Sequence, residues 1–294
     1  LGGPDNPNAV QPFLFNLFND AAIIDLPNPF RWLIAKIISA RRAPIAKKIY
    51  AEIGGKSPLL DLTQKQATAL EVNLNRNKNI NSKVFIAMRY WHPLTLAAAM
   101  SVKNFDPDEI ILLPLYPQFS TTTTGSSFKE WKSTANKIKL KKPTKKICCY
   151  PINENLIKAH TFLLKKEVSK AKQNVRVLFS AHGLPKKIIQ NGDPYQWQVE
   201  KTAKAIAVSA KLNKNEWRVC YQSRVGPLEW IGPSLDEEIK NASDDNLGVV
   251  ILPIAFVSEH SETLVELDIE YRDLAKNLSL PYYGRVPAIG THPD

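Results

Sequence analysis

The chain has 294 residues, 44% of them hydrophobic, and a formal net charge of +11. That length supports one large core or two fused units of about 100–150 residues each, and the mixed composition excludes a disordered or low-complexity chain. The positive charge is densest at Lys137, Lys139, Lys141, Lys142, Lys145 and Lys146; without a zinc-finger or helix-turn-helix pattern it fits a solvated face or an anionic surface or substrate, not a nucleic-acid reader.

Leu1 stands where a start Met would be, so the amino terminus is expected to be incomplete. Phe30, Leu33, Ile34, Ile37 and Ile38 recur at helical spacing, with Arg31, Lys36, Arg41 and Arg42 around them. The spacing predicts an amphipathic basic helix that either packs on a core or dips into an anionic membrane surface. Trp32, off the main stripe, favours the second.

Strands are expected at 84–89, 110–115, 146–150, 175–180, 218–222 and 249–256. These runs are continuously apolar rather than alternating, which suits strands covered on both faces of a parallel sheet. Cys148 and Cys149 are expected on opposite sides of the third; with Cys220 they form neither a disulfide framework nor a metal spacing, which points to a reducing compartment. Helical stretches such as 194–212 supply crossovers, so the class is α/β. No apolar stretch reaches the roughly 18 residues a membrane span needs.

The sequence echoes itself. Leu1-Gly2-Gly3-Pro4 resembles His182-Gly183-Leu184-Pro185, Arg89-Tyr90-Trp91-His92-Pro93 resembles Ser223-Arg224-Val225-Gly226-Pro227, and Leu112-Leu113-Pro114-Leu115 resembles Ile251-Leu252-Pro253-Ile254. Their shared order implies two similar doubly wound halves, residues 1–150 and 151–294. Ligands of such sheets sit beyond the carboxyl ends of the strands, where Tyr116, Ser120, His182 and His260 fall.

Five histidines are present, and two of them follow apolar strands. His182, before Gly183, is either a turn histidine bonded to backbone or a base and metal contact. His260 precedes Glu262, Glu266 and Glu270, whose spacing of four sets them along one helix face. Such a row repels itself, so it needs either solvent or a cation; imidazole with carboxylates suits divalent iron. Asp268 turns away from it. The hydroxyl-rich segment from Tyr116 to Ser120, then Thr121–Thr124, can cap a helix or offer donors to an anion. No glycine-rich phosphate loop or dinucleotide fingerprint follows any strand.

Together these segments resemble the ferrochelatase family along nearly the whole chain. The most specific runs are Phe179-Ser180-Ala181-His182-Gly183-Leu184-Pro185 and Pro253 through Ser258-Glu259-His260-Ser261-Glu262-Thr263-Leu264 to Tyr271. Arg41-Arg42-Ala43-Pro44, Ile53 through Pro58, Thr123 through Ser127 and Gly192-Asp193-Pro194-Tyr195 add to them. The resemblance implies two Rossmann-like domains with a porphyrin cleft between them, and insertion of Fe²⁺ into protoporphyrin IX with release of two protons. It assigns His182, Glu262 and His260 to catalysis, with His182 and Glu262 also meeting the metal and Glu266 and Glu270 continuing an acidic path. Ile24, Arg42, Tyr50, Arg89, Tyr90, Tyr116, Ser120, Thr122 and Phe256 resemble porphyrin-binding positions; Arg41 and Arg42 would serve the propionates or the membrane surface. Residues 20–45 resemble an apolar lip, which implies a cytoplasmic protein held peripherally on the inner face of the membrane and favours protoporphyrin over coproporphyrin. No permanently bound cofactor is expected, because Fe²⁺ is a substrate, and no iron–sulfur cluster, because no cysteine follows Cys220.

Overall fold

A computed structural model describes residues 1–224 and 226–293; Val225 of the Ser223–Pro227 motif and Asp294 lie outside the described residues. The chain divides into two compact units. One comprises Leu1–Pro114 and Thr121–Cys148, the other Leu115–Ser120 and Cys149–Asp294.

In the first unit, helix α1 (Val10–Phe18) packs on α2 (Phe30–Ala51). The buried residues of α2 are Ala35, Ser39, Ala43 and Tyr50, so small side chains turn inward while Phe30, Trp32, Leu33 and Ile37 remain exposed. Of the apolar stripe read from the sequence, Phe30, Leu33 and Ile37 therefore face outward while Ile34 and Ile38 are half-buried, so the helix packs on α1 with one side and leaves an apolar edge exposed. Helices α3 (Leu59–Leu74), α4 (Thr95–Phe105) and α5 (Ser126–Lys137) accompany a two-stranded parallel sheet of β1 (Ile110–Leu112) and β2 (Thr144–Lys146).

Two expectations shift here. Residues 84–87 join no ladder among the described residues; Met88 makes an isolated bridge to Leu94, and the Arg89 and Tyr90 amides donate to the Leu1 carbonyl. The third strand ends at Lys146, so Cys148, exposed, and Cys149, half-buried, follow the strand instead of lying within it.

The second unit is a four-stranded, wholly parallel sheet in the order β4-β3-β5-β6: β3 Val175–His182, β4 Trp217–Gln222, β5 Gly248–Pro253, β6 Tyr283–Arg285. Helices α6 (Glu154–Val168), α7 (Lys186–Gln190), α8 (Tyr195–Ala210), α9 (Leu235–Asp244) and α10 (Tyr271–Asn277) surround it. Alternation along each strand sends Val177, Phe179, Ala181, Tyr221, Val250 and Leu252 into a core with Val199, Ala203 and Ile206 of α8. Leu178, Cys220, Val249 and Ile251 enter a second core with Leu235, Ile239 and Leu267. The sheet is covered on both faces, as continuous apolar strands require.

Candidate active site

β3 is buried from Arg176 to Ala181 and emerges at His182. Gly183 follows because a Cβ there would meet the Gln222 carbonyl at 3.1 Å and the Trp230 ring at 3.3 Å. His182 shares the face of Leu178 and Ser180, and so points to the layer that contains Glu262–Glu270.

That segment is a π-helix, wound i→i+5, with Tyr271 N–H donating to the Glu266 carbonyl. π-Helices are rare and concentrate at functional sites; this one is tethered from outside. The Tyr283 hydroxyl donates to the Leu267 carbonyl, and Arg285 pairs with Asp268 and, at 2.6 Å, with Glu259. Asp268 thus turns away from the acidic row, as its spacing predicts.

At the head of the π-helix, Glu262 Oε2 lies 2.9 Å from His182 Nδ1, and both side chains keep an open edge, 29% and 39% exposed. Glu266 accepts from Ser223 N at 2.8 Å, Ser223 Oγ at 2.5 Å and Gln222 Nε2 at 3.1 Å; Ser223 Oγ also stands 3.4 Å from Glu262 Oε2. Ser223 adopts a left-handed φ of 62°, which turns its amide and hydroxyl onto the same carboxylate. His260 Nδ1 accepts the Glu262 amide at 3.1 Å, and its ring meets Phe256 edge-on at 4.6 Å. Glu270 is exposed.

The electrostatics follow from the crowding. Burial pushes the Glu262 carboxyl up, but the charge and hydrogen bond of His182, helped by His260 and Ser223, bring it down to about 2. Desolvation pulls His182 down, and Glu262 outweighs it, with Glu266 adding, so the imidazole lies above its ordinary value. His260 is lowered, chiefly by burial. Glu266 is pushed up to about 7 by burial and the neighbouring Glu262 charge, against the Ser223 and Gln222 hydrogen bonds. An ionised carboxylate can only accept, so His182 carries its proton on Nδ1 and leaves Nε2 as the basic nitrogen.

The ferrochelatase family model matches residues 1–294. The chain belongs to the ferrochelatase family. A ferrochelatase of Wolbachia sp. subsp. Drosophila simulans (strain wRi) is 55% identical over 295 residues, covering 100% of this chain and 93% of that one. The Pelagibacter ubique (strain HTCC1062) ferrochelatase is 52% identical over 295 residues (100% and 86%), and that of Caulobacter vibrioides (strain NA1000 / CB15N) 55% over 297 (100% and 84%). Among solved structures, SirB from Bacillus subtilis with Fe³⁺ matches with a TM-score of 0.53 at 17% identity, covering 79% of this chain and 84% of that one. The sirohydrochlorin chelatase SirB from Bacillus subtilis subspecies spizizenii in complex with cobalt gives 0.54 at 14%, covering 79% and 83%. At such identities these two show the shared chelatase fold alone. The family makes the protein a metal chelatase, a lyase of haem biosynthesis acting with iron.

The remaining ferrochelatase-like positions fall into two groups. In the second unit, Ser120 Oγ donates to Asp193 Oδ2 at 2.9 Å, Asp193 Oδ1 accepts the Tyr195 amide, and the Tyr195 hydroxyl donates to the His182 carbonyl at 3.1 Å. Gln118 and Phe119 dock on Thr202 and Gln198 of α8, so the segment carrying half-buried Tyr116 is fastened beside the strand end. In the first unit, Tyr90 is fully buried and donates to Asp20 Oδ2 at 2.8 Å; Ser126 Oγ (2.5 Å) and Arg89 Nη2 (2.9 Å) meet the same oxygen. Burial raises the Asp20 carboxyl, yet the Ser126 and Ala22 hydrogen bonds, the Arg89 charge and Tyr90 hold it below its usual value. Tyr50 and Thr122 are buried, Ile24 is half-buried, and exposed Arg42 lies over the Phe18 ring at 6.0 Å. The sequence reading assigns no role to Asp20 or Gln222 and names Asp193 and Ser223 only as parts of motifs, because the contacts that place them, to Tyr90, Ser126, Ser120, Glu262 and Glu266, are distant along the chain. Among the described residues no group of three or more His, Cys, Asp or Glu is gathered to hold a metal ion.

Proposed function

We propose that the protein inserts Fe²⁺ into protoporphyrin IX at the His182–Glu262 pair, releasing two protons. The observation that carries this is the 2.9 Å contact between His182 Nδ1 and Glu262 Oε2. With Nδ1–H committed to the carboxylate, Nε2 of the neutral imidazole accepts a pyrrole proton, and the imidazolium so formed is stabilised by the same carboxylate. Glu262 is the negative group that meets Fe²⁺, a cation that takes imidazole and carboxylate ligands. Glu266, able to hold a proton near neutrality, and exposed Glu270 continue an acidic path from the pair towards solvent. His260 fixes the head of the helix through the Glu262 amide. Ile24, Arg42, Tyr50, Arg89, Tyr90, Tyr116, Ser120, Thr122 and Phe256 are the porphyrin-side residues of this reading, with Arg41 and Arg42 supplying cations for propionates.

No helix among the described residues is long and apolar enough to cross a membrane. The outward stripe of Phe30 (63% exposed), Leu33 (51%) and Ile37 (44%), with Trp32 and basic neighbours, supports peripheral attachment to the inner, anionic face of the cytoplasmic membrane. It equally supports protoporphyrin, the more apolar substrate, over coproporphyrin. Anaerobic assays with Fe²⁺ and each porphyrin in parallel, followed by loss of porphyrin fluorescence, test this: faster protoporphyrin turnover is expected, and faster coproporphyrin turnover would overturn the substrate.

A further inference from the structure

Gln222 ends β4 and is the register partner of His182 on β3, with its own side chain 1% exposed. Every polar atom of its amide is used. Oε1 accepts from Ser180 Oγ at 2.7 Å; Nε2 donates to the Glu262 backbone carbonyl at 3.1 Å and to Glu266 Oε2 at 3.1 Å. The Glu262 carbonyl and the Glu266 carboxylate, both acceptors, fix which way the amide points, and the fully buried Ser180 hydroxyl braces its oxygen. Turned over, the amide would set its oxygen against two acceptors and lose both bonds.

The partners matter more than their number. Ser180 belongs to the strand that carries His182, and Glu262 opens the π-helix. The Ser180–Gln222 strut therefore joins the two elements that must hold an imidazole and a carboxylate 2.9 Å apart. A helix wound i→i+5 is rare, and Gln222 holds its backbone, through the Glu262 carbonyl, at the turn where Glu262 sits. We propose that Gln222, oriented by its two glutamate acceptors and braced by Ser180, is a positioning residue that sets the Glu262 carboxylate opposite His182. This rests on the reading of His182 and Glu262 as the reacting pair.

Groups that orient metal-contacting side chains cost about 10–100-fold in metal affinity or activity when removed. The test is steady-state insertion of Fe²⁺ into protoporphyrin by Gln222→Leu, Ser180→Ala and the double variant, with KM measured separately for metal and porphyrin and folding checked by thermal melting. Gln222→Leu is expected to raise the metal KM by about 10–100-fold and leave the porphyrin KM unchanged. Ser180→Ala moves it the same way by less, and adds nothing once Gln222 is Leu, because both act through one strut. A loss of folded protein alone would lower kcat and leave the metal KM where it was. A wild-type metal KM in folded Gln222→Leu, or additive effects in the double variant, would overturn the proposal; if Gln222→Leu does not fold, a wild-type metal KM in Ser180→Ala would do so. Glu262→Gln and His182→Ala run alongside. If they insert iron normally, the reacting pair itself is wrong; if they are inactive while the Gln222 and Ser180 variants are normal, only the strut falls.

Discussion

Gln222 and His182 are register partners at the carboxyl ends of adjacent parallel strands, and the Gly183 amide closes the pair by donating to the Gln222 carbonyl at 2.8 Å. One strand end thus presents the imidazole, and its neighbour presents the amide that grips the helix carrying Glu262 and Glu266. The site's stability should carry the mark of that arrangement.

Glu266 provides the first prediction. Its folded value, about 7 against an ordinary 4.5, means that between those limits the folded state keeps a proton the unfolded chain has lost. Stability then falls as pH rises from about 4.5 to about 7. His182, also raised, acts in the same direction: its contribution is complete below its ordinary 6.5 and is lost as pH climbs through its folded value. His260 and His160, both lowered by burial, act in the opposite direction, so the readout is a difference: between pH 5 and 8 the wild-type chain should lose thermal stability relative to Glu266→Gln. An identical slope in both proteins would contradict the burial argument.

Asp20 provides the second. Its carboxylate receives Tyr90, Ser126 and Arg89 in a site where its own side chain is 7% exposed. Removing it takes the shared acceptor from buried Tyr90 and Ser126, while half-buried Arg89 keeps Glu130 at 3.8 Å, at a cost of about 1–3 kcal/mol for the unsatisfied groups. Asp20→Ala should shift the urea midpoint accordingly, and Asp20→Asn, which keeps an acceptor oxygen, by less. A midpoint unchanged in Asp20→Ala would show that the hub carries no load.

Much of this was legible in advance, for identifiable reasons. Val175–His182 and Gly248–Pro253 are buried on both faces, so their apolar runs announce them. Glu262 and Glu266 share a face, since both reach Ser223 Oγ, and spacing alone predicts that. The ladder of Thr144–Lys146 was illegible because those residues are polar and exposed; backbone pairing with Ile110–Leu112 defines them. Tyr283–Arg285, short and holding a glycine, gives no apolar signal either. Asp20 meets Tyr90 and Ser126 across 70 and 106 residues of chain, a distance no local pattern spans. The π-winding likewise depends on tethers from Gln222, Tyr283 and Arg285.

The outward face of α2 gives the third prediction. Leu33→Asp, at a residue 51% exposed, should alter folding stability by no more than about 0.5 kcal/mol while reducing co-sedimentation with anionic lipid vesicles. Undiminished binding would remove α2 from the membrane account.

The central claim is that His182, held by Glu262, takes protons from the porphyrin as iron enters. Its most direct test is single-turnover insertion of Fe²⁺ into protoporphyrin under anaerobic conditions by the wild-type chain and by His182→Ala. A positioned general base contributes about 10²–10⁴-fold, so the variant should bind porphyrin and insert iron slower by that factor or not at all. Insertion at the wild-type rate by folded, porphyrin-bound His182→Ala would contradict it.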